Sequence, residues 1–271
     1  MGKSKILFIS QELTPYLPET PLAASNRVLS QQTLESGYEV RTFMPKYGCI
    51  NERRNQLHEV IRLSGMNVVI DDSDHPLIIK VATLQPSRMQ VYFIDNDDYF
   101  HFSPEKRLET DSSPEDNDER QMFFVRGVIE TVKKLRWEPA VIHCSGWITA
   151  LAPLYLKRMF HDDPSFLQSK IVFDLRPETF EGTLDSRFAE KLIMNQFTAE
   201  DIATLGSEPV DALRLNKLAI DYADAIVQST EGVSQELIDY ATASGKPFLP
   251  YNGDEESMTP AIIDFYKTLI D

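Results

Sequence analysis

Short, continuous apolar runs alternating with helix-period segments constrain this chain more than any other feature. Ile6-Leu7-Phe8-Ile9 near the start has strand length with no polar alternation, the mark of a strand buried on both faces of a parallel sheet. Val40 to Met44, Ala140 to Ile142, Ile171 to Leu175 and Ala225 to Val227 repeat the type. Between them lie helical stripes, such as Phe123, Phe124, Val128, Ile129, Val132 and Leu135. Further helices are expected from Leu22 to about Ser36 with Gly37 as the C-terminal cap, and over Phe188–Met194, Val210–Ala223, Val233–Tyr240 and Met258–Ile270. About six such strands alternating with helices imply an α/β, doubly wound, mostly parallel Rossmann-like sheet covered on both faces.

The middle of the chain breaks this rhythm. Val60–Leu63, Asn67–Ile70, Leu77–Ala82 and Met89–Ile94 are short β-rich runs with no helix between them, which predicts an antiparallel extension of the sheet. Thr110 to Arg120 is acidic and reads as a solvated loop, with Asn117 as the N-cap of a helix from Arg120 to Leu135. No repeat or low-complexity linker marks a second domain, so residues 1–271 are read as one Rossmann-like domain.

Charge and motifs exclude several functions. With 27 Lys+Arg against 42 Asp+Glu the net charge is -15, which opposes encounter with nucleic acid or an anionic membrane and leaves a neutral ligand such as a sugar polymer. The two cysteines, Cys49 and Cys144, imply no disulfide framework, and no apolar run reaches the ~18 residues of a membrane span, so the expected setting is the cytoplasm. GxGxxG, Walker A, GxSxG and HExxH patterns are missing and neither cysteine sits in a metal-ligand pattern, so no cofactor and no metal are expected.

The stretch with the strongest claim to chemistry is Glu138 to Lys157, where an apolar run ends in His143, passes a small polar turn and reopens at Trp147 as a helical pattern. Ligands of open parallel sheets sit at such strand ends. This stretch, together with Lys5–Glu12, Gly37–Gly48, Val91–Phe100, Asp116–Arg120 and Lys217–Asp224, resembles in order the amino-terminal domain of bacterial glycogen and plant starch synthases, the family 5 retaining glycosyltransferases. The resemblance spans about residues 3–230. It implies one lobe of a two-lobed GT-B fold, the lobe that holds the growing α-glucan, whereas the other lobe holds most of ADP-glucose. That second lobe is expected to be absent, with the short strand and terminal helix of 246–271 covering part of the face it would meet.

Departures from the family pattern cluster in the strand-end loops. The family's Lys-x-Gly-Gly-Leu-Ala-Asp loop is matched by Pro18, Glu19, Thr20, Pro21, Leu22, Ala23 and Ala24, which removes the cation, the close backbone approach and the carboxylate. Asp-Trp-His becomes Gly146-Trp147-Ile148, and His-Asn followed by Tyr-Gln-Gly becomes Arg176-Pro177 followed by Phe180-Glu181-Gly182. The resemblance nominates Glu12, Asp116, His143, Trp147 and Arg176 as substrate-binding residues, with His143 the one catalytic candidate. Each has a plainer reading: a satisfied near-buried histidine, a core tryptophan, a solvated or structural carboxylate, a surface ion pair at Arg176.

Two functions remain at this level. One is transfer of glucose from ADP-glucose to an α-glucan, inactive or impaired in this chain alone and dependent on a separate donor lobe. The other is a non-catalytic module that binds carbohydrate or a protein partner. A homodimer is a further expectation, because it would bury the face of the missing lobe.

Overall fold

The computed structural model describes residues 3–100, 116–177 and 180–270. In chain order the elements are β1 (Lys5–Ser10), α1 (Pro21–Glu35), β2 (Glu39–Pro45), β3 (His58–Glu59), β4 (Met66–Ile70), β5 (Ser73–Leu84), β6 (Met89–Asp95), α2 (Asp97–Phe100), α3 (Asn117–Leu135), β7 (Val141–Ser145), α4 (Ala152–Arg158), β8 (Lys170–Leu175), α5 (Phe188–Met194), α6 (Ala212–Tyr222), β9 (Ala225–Gln228), α7 (Gln235–Ala243), β10 (Phe248–Leu249) and α8 (Glu255–Ile270). One-turn 3-10 helices lie at Trp147–Thr149 and Ala203–Leu205.

The sheet order is β10-β9-β8-β7-β1-β2-β6-β5-β3, with β4 paired to β5. From β6 to β9 this is the doubly wound order in which the chain reverses direction beside its first strand, and the switch point falls between β1 and β7. Those two strands pair in parallel, Ile6 opposite Val141 and Ser10 opposite Ser145. Right-handed crossovers then place each helix on one face or the other according to the direction of travel along the sheet. Accordingly α3, α4, α6 and α7 pack in sequence on one face, whereas α1 and α8 pack together on the other.

Local chemistry explains most boundaries. Thr20 caps α1 by accepting from the Ala23 amide, Pro21 occupies the first helical position, and Gly37 follows the C-terminus with φ +98. The buried stripe of α6, Leu215, Leu218, Ala219 and Ile220, has the i, i+3, i+4 spacing of a sheet-packing face. Gly127 in α3 allows close approach to the sheet, since a Cβ there would stand 2.9 Å from side-chain carbons of Ile94 and Leu77.

Three sequence expectations are corrected. Met89–Asp95 runs parallel to β2 and antiparallel to β5, so it belongs to the central sheet and the antiparallel extension is β3 to β5. Val60 forms no strand with Leu63; that segment is a turn, and the edge strand is His58–Glu59. Helix α3 starts at Asn117 with Asp116 at the cap, one residue before the expected Asn117, and the acidic stretch 110–115 lies outside the described residues.

Candidate functional site

A cleft of about 510 Å³ opens at the carboxyl ends of β8 and β9, between α1 and α8. Asn26 and Leu29 of α1, Asp174 and Arg176 of the β8 end, Ser229 after β9 and Ile262 of α8 are among its walls, and Glu255 and Glu256 stand at its mouth. The floor is a connected set of hydrogen bonds. Asp174 accepts from the Ser229 amide at 3.1 Å and from the Ser229 hydroxyl at 2.8 Å, and Arg176 donates to that hydroxyl at 2.6 Å. Arg176 and Asp174 are both buried, and their charges offset one another at 3.9 Å.

His143 lies beneath this floor. It is fully buried in β7, with Nδ1 2.9 Å from the Tyr266 hydroxyl of α8 and Nε2 3.7 Å from Asp174 Oδ2. The carboxylate neighbour that the sequence did not disclose is therefore Asp174, and the imidazole has no exposed edge for a substrate. Its neighbour Cys144 is equally buried, and burial pushes that thiol well up, leaving it unreactive.

Glu12 follows β1 and lies against the start of α1. Its carboxylate accepts from the Thr20 hydroxyl at 2.6 Å and from the Gln11 side-chain amide at 3.3 Å, while its carbonyl accepts from Asn26 at 3.0 Å. The N-terminal turn of α1 is thereby capped largely from within. Pro21 has no N–H, the Ala23 amide donates to the Thr20 hydroxyl, and the Ala24 amide donates to the Thr20 carbonyl. A carboxylate is thus fixed through Thr20 at the end of the helix that would attract an anion.

The turn after β7 is set by a close approach that sequence reasoning missed. Gly146 has φ +96, and a Cβ there would fall 2.5 Å from the Gln11 Cβ and 2.7 Å from its Oε1. No aspartate fits beside Gln11 in this arrangement. Trp147 is buried and meets Phe180 edge-on at 5.3 Å between ring centroids, so its ring is spent on packing.

Asp116 belongs to a different cluster at the start of α3, 3.1 Å from Arg120. Beside it the buried Lys191 ammonium of α5 holds Asp118 at 2.8 Å, Glu119 at 2.7 Å and Asp185 at 3.0 Å. Burial works against that charge, but the three carboxylates outweigh it and hold Lys191 above its ordinary pKa. Burial raises the Asp118 carboxyl, with Lys191 the main opposing influence. Of the nominated residues, Arg176 lines the cleft, His143 and Glu12 lie in the hydrogen-bonded layers around it, and Trp147 and Asp116 are engaged elsewhere. Among the described residues no group of three or more His, Cys, Asp or Glu side chains has metal-site geometry, and no helix is long and apolar enough to cross a membrane.

Comparison with known proteins agrees with this architecture. The catalytic domain of starch synthase IV from Arabidopsis thaliana, bound to ADP and acarbose, superposes with a TM-score of 0.75 at 17% identity, covering 94% of this chain and 53% of that one. Sucrose-phosphate synthase from Thermosynechococcus elongatus superposes at a TM-score of 0.51 and 12% identity. At such identities these likenesses speak to fold alone. In sequence, the glycogen synthase of Pelodictyon phaeoclathratiforme is 32% identical over 238 residues, 86% of this chain and 47% of the relative. That of Chlorobium chlorochromatii is 36% identical over 199 residues, 72% of this chain and 40% of the relative. The chain thus spans about half the length of the relatives it matches. The family model for the starch synthase catalytic domain matches residues 5–246, and the chain belongs to that family.

Proposed function

We propose that these 271 residues form a glycogen/starch synthase-type lobe that holds carbohydrate in the α1–α8 cleft and does not itself transfer glucose from ADP-glucose. The observation that carries this reading is the internally capped N-terminal turn of α1, with the Glu12 carboxylate behind it. Glycosyl transfer from a nucleotide sugar depends on donors and cations placed around the departing diphosphate. Here the Ala23 and Ala24 amides are used internally, Pro21 offers none, and Glu12 adds a negative charge through Thr20. The cleft itself is of sugar size, and hydroxyl, amide and guanidinium groups share its lining with apolar groups such as Leu29 and Ile262.

Incorporation of labelled glucose from ADP-glucose into glycogen by the purified chain, run beside glycogen co-sedimentation, tests the reading. Co-sedimentation without incorporation is the expected result, and robust incorporation refutes it. A protein-interaction role is the second reading, favoured by the half-exposed Val69, Ile193 and Met194; Arg126 brings their segments together by bonding to the Val69 carbonyl and to Asn195. If glycogen fails to bind and light scattering reports a dimer, that reading replaces the first.

A further inference from the structure

We propose that Tyr266 is a positioning residue, which through buried His143 and Asp174 sets the geometry of Arg176 in the cleft. The inference rests on the reading of the cleft as the ligand site, and it adds an element outside the matched family region, because that match ends at residue 246 and α8 begins at Glu255. Helix α8 contributes Met258, Thr259 and Ile262 to the cleft wall, so its seating decides the shape of the site.

The series runs through hydrogen bonds at both ends and one electrostatic contact between His143 and Asp174. Arg176 has only N–H groups to offer, so it donates to Ser229 Oγ at 2.6 Å. The Ser229 hydroxyl proton goes to Asp174 Oδ2 at 2.8 Å. Asp174 Oδ2 also faces His143 Nε2 at 3.7 Å, beyond hydrogen-bond length but close enough that the carboxylate favours a proton on that nitrogen over a lone pair. In the tautomer with the proton on Nε2, Nδ1 is the acceptor, and its one partner among the described residues is the Tyr266 hydroxyl at 2.9 Å. Burial, reinforced by the Asp174 charge, raises the Tyr266 phenol well above its ordinary pKa, so the hydroxyl keeps its proton, and a bare Nδ1 2.9 Å away is the acceptor for it. Each group therefore has one role, and the series links positions 176, 229, 174, 143 and 266 on four separate elements. Tyr266 also packs edge-on against Phe8 at 6.5 Å, which holds its ring in register with β1 and β7.

Removal of the Tyr266 hydroxyl leaves Nδ1 without a donor in a site closed to water, freeing the imidazole to change tautomer and present a lone pair to Asp174. The test uses the full chain, with Tyr266→Phe set beside Ile263→Val, which trims the buried packing of α8 and leaves the hydrogen bond intact. In ¹⁵N NMR, wild-type His143 is expected to show a protonated Nε2 and an unprotonated Nδ1. The Arg176 Nε–Hε resonance is expected to move in Tyr266→Phe and to stay in place in Ile263→Val. Titration with maltoheptaose should show an affinity about tenfold lower in Tyr266→Phe only. A protonated Nδ1 in the wild type overturns the proposal whether or not the variant folds, and so does an Arg176 resonance indifferent to Tyr266→Phe. If the wild type binds no maltoheptaose, the carbohydrate reading fails, while the Tyr266 linkage is still decided by the two NMR observations.

Discussion

Replacing Lys191 with methionine isolates the ion cluster that joins the start of α3 to the segment after β8. In the folded chain the ammonium, almost wholly buried, is shared by Asp118, Glu119 and Asp185, and Asp118 has no exposed surface at all. Methionine keeps most of the side-chain volume and removes the charge, leaving a buried carboxylate without its cation. Breaking a buried pair from one side costs about 3–5 kcal/mol. Glu119 and Asp185 are partly exposed, so water offsets their share and the loss is assigned mainly to Asp118. The dependence on pH follows from the direction of the Asp118 shift. Its folded-state pKa lies above the unfolded value, so the folded chain binds that proton more tightly, and the contribution to stability falls as pH rises through the folded pKa. Loss of Lys191 removes the main opposing influence and raises that pKa further. Urea denaturation of both proteins at pH 7.5 and pH 5 reads the effect. The deficit of Lys191→Met should be several kcal/mol at the higher pH and smaller at the lower, because acidification moves the raised Asp118 carboxyl toward its neutral form. A deficit below about 1 kcal/mol at pH 7.5, the range of exposed pairs, or one that grows on acidification, would refute the assignment of a buried, charge-dependent clasp.

Two further substitutions probe neighbouring parts of the account. Gly146→Ala should cost at least about 2 kcal/mol, because it combines φ +96 with a Cβ 2.5 Å from Gln11; unchanged thermal stability would mean that this close approach is not maintained in solution. Lys246→Met should cost about 1–3 kcal/mol, since the Lys246 ammonium donates to the carbonyls of Ile220, Asp221 and Ala223 at the end of α6; hydrogen exchange confined to the last turn of that helix would localise the loss, and unaltered exchange there would contradict it.

Much of the fold is written in local pattern. The strand at Lys5–Ser10 and the helix at Phe188–Met194 follow directly from apolar runs and periodicity, because burial on two faces and burial on one leave different signatures. The direction of β6 was not legible. A strand buried on both faces looks the same whether its neighbour runs parallel or antiparallel, and here it has one of each. The site was legible only as a set of strand ends. His143 could be placed at one of them, but its partners Tyr266 and Asp174 lie 123 and 31 positions away, and nothing in the local sequence announces either contact. Gly146 reads as a lost carboxylate in the sequence, whereas in the fold it is the residue that lets Gln11 lie against the end of β7. The capped turn of α1 was half visible: Pro18 to Ala24 lacks the cation and glycines, but the bond from Thr20 to Glu12 needed the folded chain.

The N-terminus of α1, capped by Thr20 and backed by the Glu12 carboxylate, is expected to repel a diphosphate. Calorimetric titration of the purified chain with ADP tests it most directly. No saturable binding is expected up to about 1 mM, the upper end of ordinary substrate affinities. Saturable ADP binding well below that concentration, weakened by a substitution at Thr20, would contradict it.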